Sequence, residues 1–380
     1  MSAWAPNLLL SEEQQMLSRT AREFVAQRAP ASRLRHFRDT KDPVGFSPEV
    51  WREMAGLGWL GLQIPADLDG LGLGFFDLCA ILEASGRELM PEPFVSTLLL
   101  GTQALLLGGS REQKAALLPG IAAGDTIVGL AVDERAARGD FRSVETTAAP
   151  VANGFEINGE KTHVLDGHVA DQLLVSAQVA EERIALFLVD RRASGVTVTR
   201  QLRIDGHNAA IVRFDRCQVS ADASVGSLGA GDDLLQRVFD RGAIGLASHM
   251  LGAAEQAFED TLAYIKERVQ FDSPIGSFQA LQHRAVDLYT ELALLRAVVL
   301  AGARAVDEQP DEVPRLASLA NALASETFLH VAKEAIQMHG GIGVTDEHDI
   351  GFYLKRAQAT YMTFGEPSRQ RHRWAALHGY

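Results

Sequence analysis

Two short segments carry the residue types best suited to chemistry. In Gln337-Met338-His339-Gly340-Gly341-Ile342-Gly343, glycines without a Cβ let backbone N–H groups approach a diphosphate, and the Gln337 amide adds an oriented hydrogen bond. The same Gly340-Gly341 pair would also stop a helix in a left-handed cap, so both readings stand. In the stretch from Arg268 to Gln282, a helix end, a proline turn and a new N-cap at Ser277 account for Pro274 and Ser277. They leave Arg268, Phe271 and Gln279 unexplained, and an arginine fork is the side chain that binds two phosphate oxygens at once. Cys79 and Cys217 lie far apart without CxxC spacing, which signals neither a disulfide framework nor a metal site and reads as two core thiols.

Positioning such groups requires a sizeable fold, and the composition allows one. The chain has 380 residues, 47% of them hydrophobic and 22% charged, the ordinary mix of a core-forming globular protein. At roughly 100–200 residues per domain this length suggests two or three domains. With 36 Lys+Arg against 49 Asp+Glu the formal net charge is −13, which argues against a general nucleic-acid binder. Acidic residues directly follow the very short apolar patch near the N-terminus, unlike a secretory signal. No charge-free apolar stretch approaches the roughly 18–20 residues of a membrane span, so the expected location is cytoplasmic.

The elements expected to position the two segments fall into three parts with the order α, β, α. Residues 1–123 read as an all-helical domain that starts at Ser11, with Gln14 three residues on and Glu12 and Glu13 in the first turn. Residues 124–228 turn to short β-prone runs broken by Gly, Asn and Asp, with hairpin-type signals at Asn153-Gly154 and Asn158-Gly159. Few helical patterns separate these runs, so an antiparallel sandwich or barrel is expected. Residues 229–380 return to long helical periods over about 232–270, 278–305, 314–338 and 353–376, which reads as a packed four-helix bundle.

This order resembles the acyl-CoA dehydrogenase family throughout. The stretch from Arg268 to Gln282 is similar to the family's R-x-x-F-G-x-P-I-x-x-F-Q-x-x-Q pattern, with Asp272 at the usual Gly, and Gln337–Gly343 is similar to its Q-x-x-G-G-x-G. Asn158–Gly167 followed by Ala170-Asp171 resembles N-G-x-K-x-W-I-T-N-G…A-D, and Leu202–Gly206 and Val212–Val219 match later strands. The resemblance implies FAD, with Arg268 on its pyrophosphate, Phe271 packing near it, and Gln279, Gln337 and Gly341, beside Gly340, on its ADP part. In the family the two motifs come from different subunits and together hold one FAD, which implies an obligate homodimer or homotetramer. It further implies a role in fatty acid and lipid metabolism, with an acyl-CoA substrate dehydrogenated between Cα and Cβ. A carboxylate takes the α-proton, hydride goes to flavin N5, and electrons leave to an electron-transfer flavoprotein or similar acceptor.

Several positions depart from the family pattern. His163 and Leu165 stand where a Trp and a Thr contact the flavin, and Val132 replaces a further Thr; His163 could stack or donate a hydrogen bond there, or be structural. The family's usual base is a Glu before the last helix, and here that position is Phe364; the alternative position on the first bundle helix is Gly242. The nearest carboxylates are Glu366, two residues beyond, and Asp240, two residues before. Two residues turn a helical side chain by roughly 200°, so Asp240 needs a shifted register, while Glu366 lies in a pre-helical loop. Glu366 followed by Pro367 also reads simply as helix-start chemistry.

Some bacterial members are hetero-oligomers in which only one subunit type supplies the base. Phe364-Gly365, His348-Asp349 and Tyr353–Arg356 resemble that group, many of which handle steroid side chains or other bulky acyl-CoAs. The chain is therefore expected to be a dehydrogenase, with two alternatives: a partner subunit without its own base, or another flavin reaction on the same fold. The basic end, with Lys355, Arg356, Arg369, Arg371 and Arg373, reads as a solvated helix face or a phosphate contact.

Overall fold

A computed structural model describes residues 4, 6–137, 139–179 and 183–380. In chain order the helices are α1 (Glu12–Arg28), α2 (Ser32–Thr40), α3 (Pro48–Gly56), α4 (Phe75–Arg87), α5 (Thr102–Gly108), α6 (Arg111–Ala122), α7 (Gly231–Glu267), α8 (Gln279–Glu308), α9 (Val313–His339), α10 (Ile350–Tyr361) and α11 (Pro367–Leu377). A π-helical stretch, Phe94–Gly101, leads into α5. The strands are β1 (Val128–Ala131), β2 (Thr147–Val151), β3 (Gly154–Leu165), β4 (Gln172–Gln178), β5 (Ile184–Asp190), β6 (Val196–Leu202), β7 (Asn208–Ser220), β8 (Ser224–Val225), β9 (Val269–Gln270) and β10 (Ser273–Pro274). Two compact units result, one of residues 1–40, 75–90 and 243–380, the other of residues 41–74 and 91–242. The amino-terminal helical segment is thus divided between them.

In the first unit α1 starts with the expected capping box: Ser11 Oγ accepts from the Gln14 N–H at 3.2 Å and Gln14 Oε1 accepts from the Ser11 N–H at 3.1 Å. Helices α4 and α7 touch backbone to backbone through a pair of glycines. A Cβ on Gly86 would lie 1.9 Å from the His249 carbonyl oxygen, and one on Gly252 would lie 1.9 Å from that of Glu83. Beside this crossing the buried Glu83 takes Arg22 and Arg296, whose charges outweigh the upward push of burial and hold its carboxyl below the usual range. Arg356 belongs to this core and is fully buried, which corrects its reading as part of a solvated basic face. Its Nη1 donates to His249 Nε2 at 3.0 Å and its Nη2 to the Leu89 carbonyl at 3.2 Å, so the opposite ring nitrogen, Nδ1, carries the proton and meets Ser85 Oγ at 3.1 Å.

The final bundle helix expected over 353–376 is two helices. Positive φ at Phe364 (61°) and Gly365 (100°), followed by Pro367, breaks the chain between α10 and α11.

In the second unit the strands form one sheet of order β6-β7-β3-β2-β4-β5-β8, with β1 beside β4. Most pairs are antiparallel, as expected; β1 runs parallel to β4, and so does β2 where Thr147 pairs with Gln178. Strands β1, β4 and β5 are buried almost continuously, whereas β7 alternates over much of its length. Asn153-Gly154 forms the β2–β3 hairpin, with Val151 opposite Gly154. Asn158-Gly159 does not turn: it lies inside β3 at a register shift against β7. There Asn158 Oδ1 accepts from the Arg216 N–H at 2.7 Å, and Gly159, at φ 151°, passes so close to Thr146 that a Cβ would sit 2.4 Å from its hydroxyl oxygen.

Candidate functional site

Helix α7 ends just before Arg268, whose N–H still bonds the Tyr264 carbonyl at 2.8 Å. The chain then folds into the small β9–β10 hairpin, with Gln270 opposite Ser273 and Val269 opposite Pro274. Its two turn residues, Phe271 and Asp272, have φ of 55° and 60°, the double left-handed geometry of a two-residue hairpin turn. Asp tolerates that conformation well and Phe poorly. Phe271 nonetheless stands 88% exposed at the tip, its ring edge-on to Phe278 at 6.2 Å. Arg268 is exposed and, among the described residues, has no carboxylate partner. Gln279 is the exposed first residue of α8. Ser277, expected to cap α8, instead donates to the Pro274 carbonyl at 2.7 Å, and Phe278 holds the capping position.

The second segment closes α9. His339 is its last residue, and Gly340, at φ 65°, turns the chain away, so the helix-stop reading holds. It does not account for Gly341, which has no positive φ and no protein atom within 4 Å of an added Cβ. Gln337, Gly340 and Gly341 are exposed. His339 is buried, with Nδ1 2.7 Å from the Ala335 carbonyl, and burial keeps its pKa low. Its ring stacks on Tyr264 at 4.4 Å and 25°, one helical turn before Arg268. The ends of α7 and α9, which carry the Arg268 and Gly340-Gly341 segments, therefore lie beside each other within the chain.

Strand β3 of the second unit carries His163 and Leu165, the positions expected from the resemblance to meet the flavin. Its register against β7 slips between Lys161 and Val164, so that His163 bulges out at φ 52° and is exposed, while Leu165 is half-buried. The Thr162 N–H bonds the Asp133 carbonyl at 2.8 Å. Burial raises the Asp133 carboxyl, against the opposing pull of His163 and Lys161. Lys161 is fully buried: Nζ donates to Glu134 Oε1 at 2.5 Å, Ser176 Oγ at 2.9 Å and the Val132 carbonyl at 3.3 Å, and burial draws its pKa down to about 8. Glu134 in turn accepts from the Glu145 and Thr146 N–H groups, which ties the 132–146 loop to β3. No local signal in the sequence marks this pair, because Lys161 and Glu134 are 27 residues apart.

The proposed bases are placed as follows. Glu366 is exposed at the N-cap of α11, where its side chain makes no cap bond to the helix backbone and its Oε1 accepts from the Ser368 hydroxyl at 2.7 Å. Asp240, on α7 in the second unit, is buried and accepts from Gln236 Nε2 one turn earlier at 3.0 Å. Phe364 is half-buried. Among the described residues there is no cluster suited to a metal ion and no helix long and apolar enough to cross a membrane.

A helical unit with an arginine hairpin near an open glycine pair, and a β-unit with a bulged strand, give the α, β, α architecture of an acyl-CoA dehydrogenase fold. The chain belongs to the acyl-CoA dehydrogenase family: it matches the family's N-terminal domain over residues 11–125, its middle domain over 129–217 and its C-terminal domain over 229–376. Members are flavoprotein oxidoreductases acting on CH–CH bonds. Acyl-CoA dehydrogenase IpdE2 of Mycolicibacterium smegmatis is 30% identical over 97% of this chain and 99% of its own. Among solved structures, a variant of the Tcur3481–Tcur3483 steroid ACAD is 32% identical, with a TM-score of 0.86 over 97% of this chain and 98% of that one. The ChsE4–ChsE5 complex of Mycobacterium tuberculosis is 27% identical, with a TM-score of 0.89 over 98% and 99%.

Proposed function

We propose that this chain binds FAD and acts in the α,β-dehydrogenation of an acyl-CoA thioester. The observation that carries the reading is the pairing of an exposed Arg268 without an acid partner and a Gly341 that nothing in the protein requires to be glycine, in adjacent segments. Arg268 would hold the diphosphate, Gln337 and the Gly340-Gly341 amides the ADP part with Gln279, and Phe271 would pack against the cofactor. His163 and Leu165 would face the flavin ring from β3. Bound FAD would supply the acceptor for the β-hydrogen as hydride. The exposed apolar residues Val286, Tyr289 and Leu294 on α8 support an oligomer, and the two unpaired buried cysteines suit a cytoplasmic setting.

The test is flavin binding. The purified protein should carry visible flavin absorbance, and Gly341→Val should weaken FAD binding by about tenfold or more while leaving unfolding unchanged. Unchanged affinity in that variant overturns the assignment.

A second reading is favoured by the base position. Phe364 cannot take a proton, exposed Glu366 is bonded to the Ser368 hydroxyl, and Asp240 is held by Gln236. In this reading the chain is one subunit of a hetero-oligomer whose partner carries the carboxylate; the similar Tcur3481–Tcur3483 and ChsE4–ChsE5 structures, each named for two proteins, support it. Turnover of acyl-CoA by the pure homo-oligomer with an artificial electron acceptor would sink it. If such turnover exists and survives Glu366→Gln, Glu366 is not the base.

A further inference from the structure

The loop between α10 and α11 holds a bulky residue in a conformation that bulky residues avoid. Phe364 sits at φ 61°, where a side chain other than glycine is strained, and Gly365 follows at 100°. Two buried amides grip this point from different helices. Asn321 on α9, fully buried, donates Nδ2 to the Thr363 carbonyl at 3.3 Å, and Gln370 on α11, 7% exposed, donates Nε2 to the Phe364 carbonyl itself. Among the described residues, Asn321 Oδ1 and Gln370 Oε1 are buried without hydrogen-bond partners, so neither amide is better satisfied elsewhere. The turn is closed by the Gly365 N–H on the Met362 carbonyl at 3.2 Å and by the Thr363 hydroxyl on the Ala359 carbonyl at 3.1 Å.

We propose that Asn321 and Gln370 are positioning residues, a two-amide clamp that imposes the left-handed conformation on residue 364 whatever its side chain, so that position 364 is a rigid mount with an aromatic stopper where the reaction needs a carboxylate. The clamp follows from the two carbonyl contacts and the strained φ; the role of the mount rests on the dehydrogenase reading. A residue free to relax would leave this region of φ, and a loop needed only to join two helices would use glycine or asparagine at the kink. Burying two amide donors to fix one loop is an arrangement that serves direction of a side chain.

Amide hydrogen exchange on the full chain tests the clamp independently of flavin. Gln370→Leu, close in size but without the donor, should speed exchange of residues 363–366 by about tenfold or more while α9 and α11 stay protected. In a Phe364→Gly background, where positive φ needs no enforcement, Gln370→Leu should change that exchange by less than about threefold. Equal acceleration in both backgrounds, or none with Phe364 present, overturns the clamp. Asn321→Leu gives the same comparison if Gln370→Leu fails to fold. The mount is tested by Phe364→Glu in flavin-loaded protein, which should raise acyl-CoA turnover well above the parent. Adding Gln370→Leu should then lower kcat by about tenfold with KM within about twofold. Flavin-loaded Phe364→Glu with no gain in turnover overturns the mount, whereas colourless protein counts against the flavin assignment and leaves the exchange result to decide the clamp.

Discussion

Replacing Asp166 with Asn, the residue of the family pattern at that place, should stabilise the protein increasingly as pH rises. Asp166 is buried at φ 53° on the turn after β3; its Oδ2 accepts from Ser96 Oγ at 2.6 Å, and its carbonyl takes the Val169 and Ala170 N–H groups at 3.0 Å each. Burial pushes its carboxyl up to about 7, with help from the nearby Glu92 and against Ser96, Arg203 and Asn208. Below the ordinary value of 3.8 both native and unfolded chains hold the proton. Between 3.8 and about 7 the native state still binds it and the unfolded state has released it, so native stability falls as pH rises and is flat above about 7. At about 1.4 kcal/mol per pH unit the full window amounts to about 4 kcal/mol, of which about 3 falls between pH 5 and 8. Asn makes the same contact with Ser96 and has no charge to bury. Urea unfolding of flavin-free parent and Asp166→Asn protein at pH 5, 6, 7 and 8 should therefore show the variant gaining about 3 kcal/mol on the parent across that range and nothing further above it. His168, which burial holds down to about 4, has the opposite pH dependence but is present in both proteins and cancels in the difference. Parallel stability curves would refute the assignment of a buried, neutral carboxyl.

Further substitutions probe the internal packing of each unit. Gly252→Ala drives a Cβ against the Glu83 carbonyl oxygen and should cost about 3 kcal/mol or more in urea unfolding, while Gly341→Ala, with open space around it, should cost little. Lys161→Met strands the Glu134 carboxylate in the core and should cost about 3–5 kcal/mol, with the Lys161→Met, Glu134→Gln double variant recovering part of the loss; equal stability of single variant and parent would show that the pair is not structural.

What the sequence disclosed and what it withheld divide along the distance over which each feature is determined. The capping box at Ser11, the Asn153-Gly154 hairpin and the helix stop at Gly340 are set by three or four consecutive residues, and the structure shows all three. Asn158-Gly159 has the same local signature as Asn153-Gly154 but lies inside β3, because β7 and Thr146 engage it from elsewhere in the chain. Arg356 sits among basic residues in sequence yet is buried against His249, 107 residues away, and nothing in its neighbourhood announces that partner. The loop at Phe364 is the sharpest case. By its spacing against the family pattern, Phe364 is the residue expected at the base position. The grip of Asn321 and Gln370, 43 residues before and 6 after Phe364 along the chain, is visible only in three dimensions. A geometry held by neighbours outlasts a change of the residue it presents, because strain at residue 364 is resisted by contacts its own side chain does not make.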